Sequence, residues 1–216
     1  MFKADDYRLK IQVLRATLKE AEYALDIEHL RPRLAELEKE QPRVTFLVNA
    51  SGFGRFAKYD QVPVQDDLDM IDLNCKALMH VTRLVLPYME RGGFVLNVCS
   101  IASFCPNTRM TVYSSTKAYV MSFSRGLREE LKPLGINVLA VCPGPMKTEF
   151  LDVANITDRS PMFKTLPYSD PDKVADRAVV LAGKGRGVYT PKLLYKAYRV
   201  LSSLIPHAIF IKFAGT

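Results

Sequence analysis

The chain has 216 residues, of which 48% are hydrophobic and 25% charged, and its formal net charge is +7. This length and composition exclude a disordered or collagen-like chain and fit one domain with a sizeable core. No apolar run reaches the roughly 18 to 20 residues of a membrane span, and the first residues lack the apolar centre of a signal peptide, so we expect a cytoplasmic protein.

The excess of basic residues is spread along the chain, with 30 Lys and Arg against 23 Asp and Glu. Such a charge attracts phosphates, nucleic acid or anionic membranes. Because no basic run is interleaved with aromatic residues, we expect no nucleic-acid binding. The four cysteines form no CxxC pair and the three histidines lie far apart, so we expect reduced core thiols and neither a metal site nor a disulfide framework.

The first 48 residues contain no glycine. Their pattern predicts a charged helix at about 4–20, a short strand at 22–26 and a helix at about 28–40. Three further strands are predicted at 44–51, 93–100 and 136–144, each short, rich in β-branched residues and ended by Gly, Pro or Ser. Strands that are apolar on both faces are typical of a parallel sheet covered on both sides.

Longer helical patterns lie between these strands, at 66–92 and 113–132. A further helix opened by Asp170 and Pro171 precedes a strand at 187–191. The alternation of strands and helices predicts an α/β fold, with a parallel sheet between two layers of helices.

Small and polar residues follow each of the three main strands. They are Asn49-Ala50-Ser51-Gly52, Cys99-Ser100 and Pro143-Gly144. Because ligands of open parallel sheets bind outside the carboxyl ends of the strands, we expect a cleft at this edge.

The stretch TVYSSTKAYV places Tyr113 four residues before Lys117; Ser100 precedes the tyrosine by thirteen residues, and Asn74 lies in DLNCKAL. With these motifs the chain resembles the short-chain dehydrogenase/reductase family from about residue 26 to about 178. The resemblance implies a Rossmann-type doubly wound sheet, hydride transfer between NAD(P) and a carbonyl or alcohol, and a catalytic tetrad. Ser103 is a local competitor of Ser100, which could instead only cap a strand end. The alternative for Asn74 is a buried helix residue bonded to backbone.

The resemblance also implies residues that bind the cofactor. Asn49, Ala50 and Gly52 correspond to the family's NNAG segment, with departures at Ala50 and Ser51, while Pro143, Gly144, Met146 and Thr148 belong to a PGxxxT segment. Asp26 resembles the acidic residue that meets the adenine ring, or is the N-cap of the following helix. The residues that distinguish NAD from NADP cannot be identified, and NADP is slightly favoured.

Tyr113 and Lys117 share one helix face because they are four residues apart. A neighbouring ammonium stabilises an ionised phenol, so we expect Lys117 to lower the pKa of Tyr113 from about 10 towards neutrality. By resemblance, Ser100 would bind the substrate oxygen, Lys117 the nicotinamide ribose, and Asn74 a water that relays the proton.

Members of this family normally open with a strand and a glycine-rich turn, TGxxxGxG, that binds the pyrophosphate. This chain has no such turn before Asn49, so we expect the first two strands of the family pattern to be missing. The strand at 44–51 then has an exposed edge unless the strand at 22–26 or another chain covers it. Two hypotheses follow: a shortened oxidoreductase, favoured by the intact tetrad, and a non-catalytic remnant acting as an interaction protein, favoured by the missing turn.

Two regions bear on substrates and partners. A lid is expected at about 149–170, and its apolar residues suggest a lipophilic carbonyl or alcohol substrate; they are Phe150, Leu151, Met162, Phe163 and Leu166. The tail at about 192–216 is amphipathic and basic, and docking on the protein or on a second subunit is favoured over an anionic membrane surface. The resemblance implies a homodimer or homotetramer paired through the two long helices.

Overall fold

The computed structural model describes residues 39–156 and 161–214. Of the N-terminal elements predicted above, only Lys39 and Glu40 at the end of the second helix fall within this part, and both are helical. The helix at 4–20, the strand at 22–26 and Asp26 lie outside the described residues.

Four strands form one parallel sheet in the described part of the chain. They are β1 (Val44–Asn49), β2 (Met89–Val98), β3 (Asn137–Val141) and β4 (Val188–Tyr189), and they lie in the spatial order β1-β2-β3-β4. This confirms the parallel α/β sheet predicted from the apolar strand patterns. All four carboxyl ends therefore lie at one edge.

The helices connect and cover these strands. Before β3 they are α1 (Val64–Ile71), a π-helical segment (Asp72–Ala77), α2 (Leu78–Val85) and α3 (Thr111–Leu131). After β3 they are α4 (Phe150–Val153), α5 (Pro161–Thr165), α6 (Pro171–Gly183), α7 (Leu193–Leu204) and α8 (His207–Ala214). Short 3-10 turns occupy Tyr59–Gln61, Leu86–Tyr88, Ile101–Ser103 and Lys132–Leu134. As predicted, Asp170 caps α6, because its carboxylate accepts from the amides of Asp172 and Lys173.

The helix predicted at 66–92 ends earlier than expected. Residues 89–92 instead begin β2. Gly92 has a φ of 87°, a value that residues with a side chain rarely adopt and that does not occur in an α-helix. At Gly93 an added Cβ would lie 2.5 Å from the carbonyl oxygen of Thr45. The glycine pair therefore lets the chain turn out of the helix and pass close against β1.

Successive strand residues face opposite sides of the sheet, as the two-residue period of a strand requires. On one face Phe46, Phe94 and Leu139 pack against α6. On the other face Leu47, Val95 and Val138 pack against residues of α2 and α3. The fold is thus the expected three-layer arrangement, and among the described helices none is long and apolar enough to cross a bilayer.

Candidate active site

A cavity of about 630 Å³ opens at the carboxyl edge of the sheet. The residues that follow three strands line it: Ala50 and Gly52 after β1, Ser100 after β2, and Pro143 and Gly144 after β3. The cleft expected from the strand ends is therefore present.

Tyr113 and Lys117 enter the same cavity from the first turns of α3. They are 7% and 5% exposed, and the Lys117 Nζ atom lies 5.8 Å from the centre of the tyrosine ring. That ammonium donates a hydrogen bond of 3.0 Å to the carbonyl oxygen of Val98 at the end of β2. The end of β2 thus sets the direction of the lysine side chain.

Ser100 lies beside the tyrosine and also caps a turn. Its hydroxyl oxygen accepts from the amide of Ala102 at 3.1 Å, and the side chain is close enough to Tyr113 to lower the pKa of the phenol. Ser103, the competing serine, instead donates its hydroxyl to the Ser100 carbonyl at 2.6 Å. The cap and the contact with Tyr113 are compatible, and the geometry favours Ser100 over Ser103.

The electrostatics of the pair differ from expectation. Burial raises the pKa of Tyr113 to about 12, and the neighbouring Ser100 side chain offsets this only in part. Burial likewise lowers the pKa of Lys117. The prediction that Lys117 lowers the pKa of Tyr113 was wrong in direction, because desolvation of the phenol dominates. At neutral pH the phenol is protonated, which is the form that can donate a proton.

Asn74 lies in the π-helical segment and is 1% exposed. Its amide nitrogen donates to the Phe53 carbonyl at 2.9 Å and to the Thr116 hydroxyl at 3.0 Å, while its oxygen accepts from the Phe53 amide at 3.1 Å. A π-helical turn within an α-helix re-aims side chains and is frequent at functional sites. Here it directs Asn74 at the loop after β1, as the backbone-bonded alternative anticipated.

Gly52 lies where that loop meets Asn74 and Lys117. A Cβ at this position would be 2.7 Å from the Asn74 oxygen and 3.1 Å from the Lys117 Nζ. Any larger residue would displace one of these polar groups. The three residues are therefore closely packed, with Gly52 and Lys117 lining the cavity and Asn74 behind them.

The residues predicted to bind the cofactor divide into two groups. Six of them line the cavity beside Tyr113 and Lys117: Ala50, Gly52, Pro143, Gly144, Met146 and Thr148. The side chain of Asn49 instead donates to Asn97 at 2.8 Å and to Thr82 at 3.0 Å. Asn49 thus ties β1 to β2 and α2 through a buried network.

The contribution of α7 to the cavity did not follow from the sequence. Leu194, Tyr195 and Tyr198 line the cavity, and the Tyr195 hydroxyl donates to the Pro167 carbonyl at 2.9 Å. A Cβ on Gly144 would lie 2.2 Å from the Tyr195 ring. The only signal in the sequence was the pair of tyrosines three residues apart on one helical face.

The segment between β3 and α6 covers the cavity with apolar side chains. They are Phe150, Leu151, Ile156, Phe163 and Leu166. The ring of Phe150 lies 5.3 Å from that of Tyr113. The tyrosine therefore faces an apolar compartment, which explains the dominance of desolvation in its pKa.

Comparison with known proteins identifies the family. The family model described as short chain dehydrogenase matches residues 14–158. The chain belongs to the short-chain dehydrogenase family, and its three-layer fold is the Rossmann-type fold expected from the resemblance.

Individual relatives show how far the likeness extends. Serine 3-dehydrogenase of Rhizobium radiobacter is 38% identical over 127 residues, 58% of this chain and 51% of that protein. A solved short-chain dehydrogenase of Sphingobium yanoikuyae in complex with NADPH is 29% identical, with a TM-score of 0.63 over 81% of this chain and 72% of that one. The bulky-bulky ketone specific alcohol dehydrogenase of Comamonas testosteroni is 28% identical, with a TM-score of 0.57 over 81% and 70%. The chain spans about half the length of the first of these.

Proposed function

We propose that the protein is an NAD(P)-dependent oxidoreductase that interconverts a carbonyl and a secondary alcohol, with Tyr113 as the proton donor and acceptor. One observation carries the proposal: Ser100 from the loop after β2 and Tyr113 and Lys117 from α3 all line a single cavity at the carboxyl edge of the sheet. A nicotinamide cofactor supplies or accepts the hydride when bound.

The residues of this cavity suit the nicotinamide half of such a cofactor. Gly52 and Gly144 leave room that a Cβ would close, and Thr148 and Lys117 offer a hydroxyl and an ammonium beside them. We assign these residues, with Ala50, Pro143 and Met146, to cofactor binding. NADP is the favoured cofactor, because the related dehydrogenase of Sphingobium yanoikuyae was solved with NADPH.

The proton chemistry belongs to the chain itself. The Tyr113 phenol is protonated at neutral pH and can donate to a carbonyl oxygen as negative charge develops there. The Ser100 hydroxyl lies beside that phenol and can hydrogen-bond the same oxygen. Lys117, held by the Val98 carbonyl, stabilises the tyrosinate left after transfer. Asn74 positions the loop that carries Gly52 and Phe53.

The substrate that fits this cavity is lipophilic. Its walls include Phe150, Leu151, Phe163 and Leu166 on the segment that acts as a lid, and Leu194 on α7. Apolar walls bind hydrocarbon groups and exclude water from the reacting oxygen. The relative of Comamonas testosteroni is specific for bulky ketones, which agrees with a large apolar substrate.

A second candidate is a non-catalytic interaction protein with the same fold. Residues 1–51 of this chain contain no glycine-rich turn, and such a turn supplies several charge-assisted bonds to the pyrophosphate. The two candidates differ in cofactor binding, which can be measured directly.

Titration of NADPH and NADH into the purified chain, followed by nicotinamide fluorescence, tests the proposal. We expect saturable binding and turnover of a panel of apolar ketones. Tyr113→Phe should abolish turnover with little change in cofactor affinity. Tyr119→Phe is the matched control, because Tyr119 lies on the same helix and is 42% exposed; it should retain turnover. No binding of either cofactor at millimolar concentration would favour the interaction protein, and full activity of Tyr113→Phe would refute the proposed proton donor.

A further inference from the structure

Helix α7 has two faces with different surroundings. Its buried face carries Tyr195, Tyr198 and Ser202, and the Tyr198 ring contacts Phe104 and Phe210 at centroid distances of 6.4 Å and 5.2 Å. These contacts hold the helix on the protein. The opposite face is turned outward.

The outward face is apolar along its whole length. Leu193, Val200, Leu201 and Leu204 are 81%, 55%, 46% and 73% exposed, and Ala197 between them is exposed as well. Their spacing of four, seven, eight and eleven residues from Leu193 places all five on one stripe of the helix. Ile209 of α8 is a further exposed apolar residue, at 52%. Soluble monomers rarely expose so continuous an apolar surface without a partner.

The charge around this stripe points to the chemistry of the partner. After Asp176 the sequence contains seven Lys and Arg residues and no acidic residue. Lys192 and Lys196 are exposed and, being four residues apart, border the stripe on one side. An apolar stripe bordered by cations is the arrangement of helices that lie in the interface of an anionic bilayer.

The same charges argue against pairing with a second copy of this face. A two-fold interface uses the same patch on both copies, so Lys192 and Lys196 of both copies would border one interface. The sequence after Asp176 has no acidic side chain to neutralise them. The docking on the protein that the sequence favoured is seen for the buried face of α7, whereas its apolar stripe is exposed and has a cationic border.

We propose that the apolar stripe of α7, defined by Leu193, Ala197, Val200, Leu201 and Leu204, binds the surface of an anionic phospholipid bilayer. The helix lies parallel to that surface, with Lys192 and Lys196 at the headgroups. Because Leu194, Tyr195 and Tyr198 of the same helix line the cavity, the bound bilayer lies directly behind the cavity wall. Binding to the bilayer does not depend on the proposed function.

Co-sedimentation of the full chain with lipid vesicles tests this inference. One set contains phosphatidylcholine alone and the other contains equal parts of phosphatidylcholine and phosphatidylglycerol. We expect binding to the anionic set, weakened by salt because headgroup attraction is screened. Weak or absent binding to the neutral set is expected.

Two pairs of variants separate the apolar and the charged contribution. Leu193→Gln with Leu204→Gln should reduce partitioning by tenfold or more, whereas Val64→Gln with Leu68→Gln, which alters side chains that are 74% and 50% exposed on α1, should not. Lys192→Gln with Lys196→Gln should reduce partitioning by roughly tenfold to thirtyfold. The matched control is Lys58→Gln with Lys173→Gln, two exposed lysines elsewhere.

Several results would overturn the inference. Equal binding to both vesicle sets, or equal loss in a variant and its control, would show that this face is not what binds the anionic surface. Absence of vesicle binding together with a dimer that dissociates in the Leu193→Gln, Leu204→Gln variant, measured by analytical ultracentrifugation, would assign the face to a second copy. Circular dichroism of each variant checks that the substitutions at exposed positions leave the fold intact.

Discussion

Replacement of Gly144 by Ala is expected to destabilise the protein through a single contact. The added Cβ would lie 2.2 Å and 2.3 Å from two ring atoms of Tyr195 and 2.7 Å from its hydroxyl oxygen. The ring cannot move aside freely, because it is 2% exposed and its hydroxyl is bonded to the Pro167 carbonyl. Distances this short require a shift of the ring or of the strand end.

The magnitude follows from two contributions. Overpacking a buried site costs about 1 to 3 kcal/mol, and loss of the Tyr195 hydrogen bond costs about 1 kcal/mol more. The free energy of unfolding should therefore fall by about 2 to 4 kcal/mol. For a chain of this size each kcal/mol corresponds to about 2 to 4 °C, so Tm should fall by roughly 5 to 15 °C.

Urea and thermal unfolding followed by circular dichroism measure this change. Gly126→Ala is the control, because Gly126 lies within α3 and a Cβ added there would meet open space among the described residues. That substitution should stabilise the protein by about 0.5 to 1 kcal/mol, since alanine favours a helix over glycine.

A double-mutant cycle with Tyr195→Leu identifies the clashing partner. In the leucine background the ring is gone, so Gly144→Ala should cost about 1 kcal/mol or less, and the coupling energy should reach about 1 to 3 kcal/mol. An equal loss in both backgrounds would refute the steric argument and would point to a backbone requirement at Gly144 instead.

Three further predictions concern other groups. The difference in tyrosinate absorbance between the native protein and Tyr113→Phe should titrate near the raised pKa of about 12. The stability that the protonated phenol contributes is complete below about pH 10 and is lost as the pH rises towards the raised pKa of Tyr113. A titration near neutrality would contradict this. Asn97→Leu should lower the free energy of unfolding by about 2 to 4 kcal/mol, because it removes one of the two hydrogen bonds of the buried Asn49 amide and one of the two of the Ser124 hydroxyl. A loss under about 1 kcal/mol in urea unfolding would show that the network relaxes. Burial raises the pKa of Cys75 to about 11, so iodoacetamide at neutral pH should alkylate it slowly in the native protein and rapidly in urea, as mass spectrometry can follow.

Much of the fold follows from local patterns in the chain. The apolar strands at 44–49 and 137–141 are covered by helices on both faces of the sheet. Nearly continuous apolar runs predict this arrangement, because both faces of such a strand must be buried. The end of the helix predicted at 66–92 could not be derived from local patterns, because the residues around Gly92 and Gly93 form a strand only through their closeness to β1. Helical periodicity carries no information about that neighbour.

The sequence by itself determined which residues could carry chemistry. The spacing of Ser100, Tyr113 and Lys117 along the chain is a property of the sequence, and the carboxyl ends of parallel strands meet at one edge of the sheet. Only the tertiary structure decided how those groups behave. Burial among the apolar side chains that cover Tyr113 raises its pKa even though a lysine lies one turn away, because desolvation sums over every surrounding group. Two other roles likewise depend on contacts between segments far apart in the chain. One is that of Asn49 in a buried network, and the other is that of α7 as a cavity wall with an exposed apolar stripe. No local sequence pattern contains these contacts.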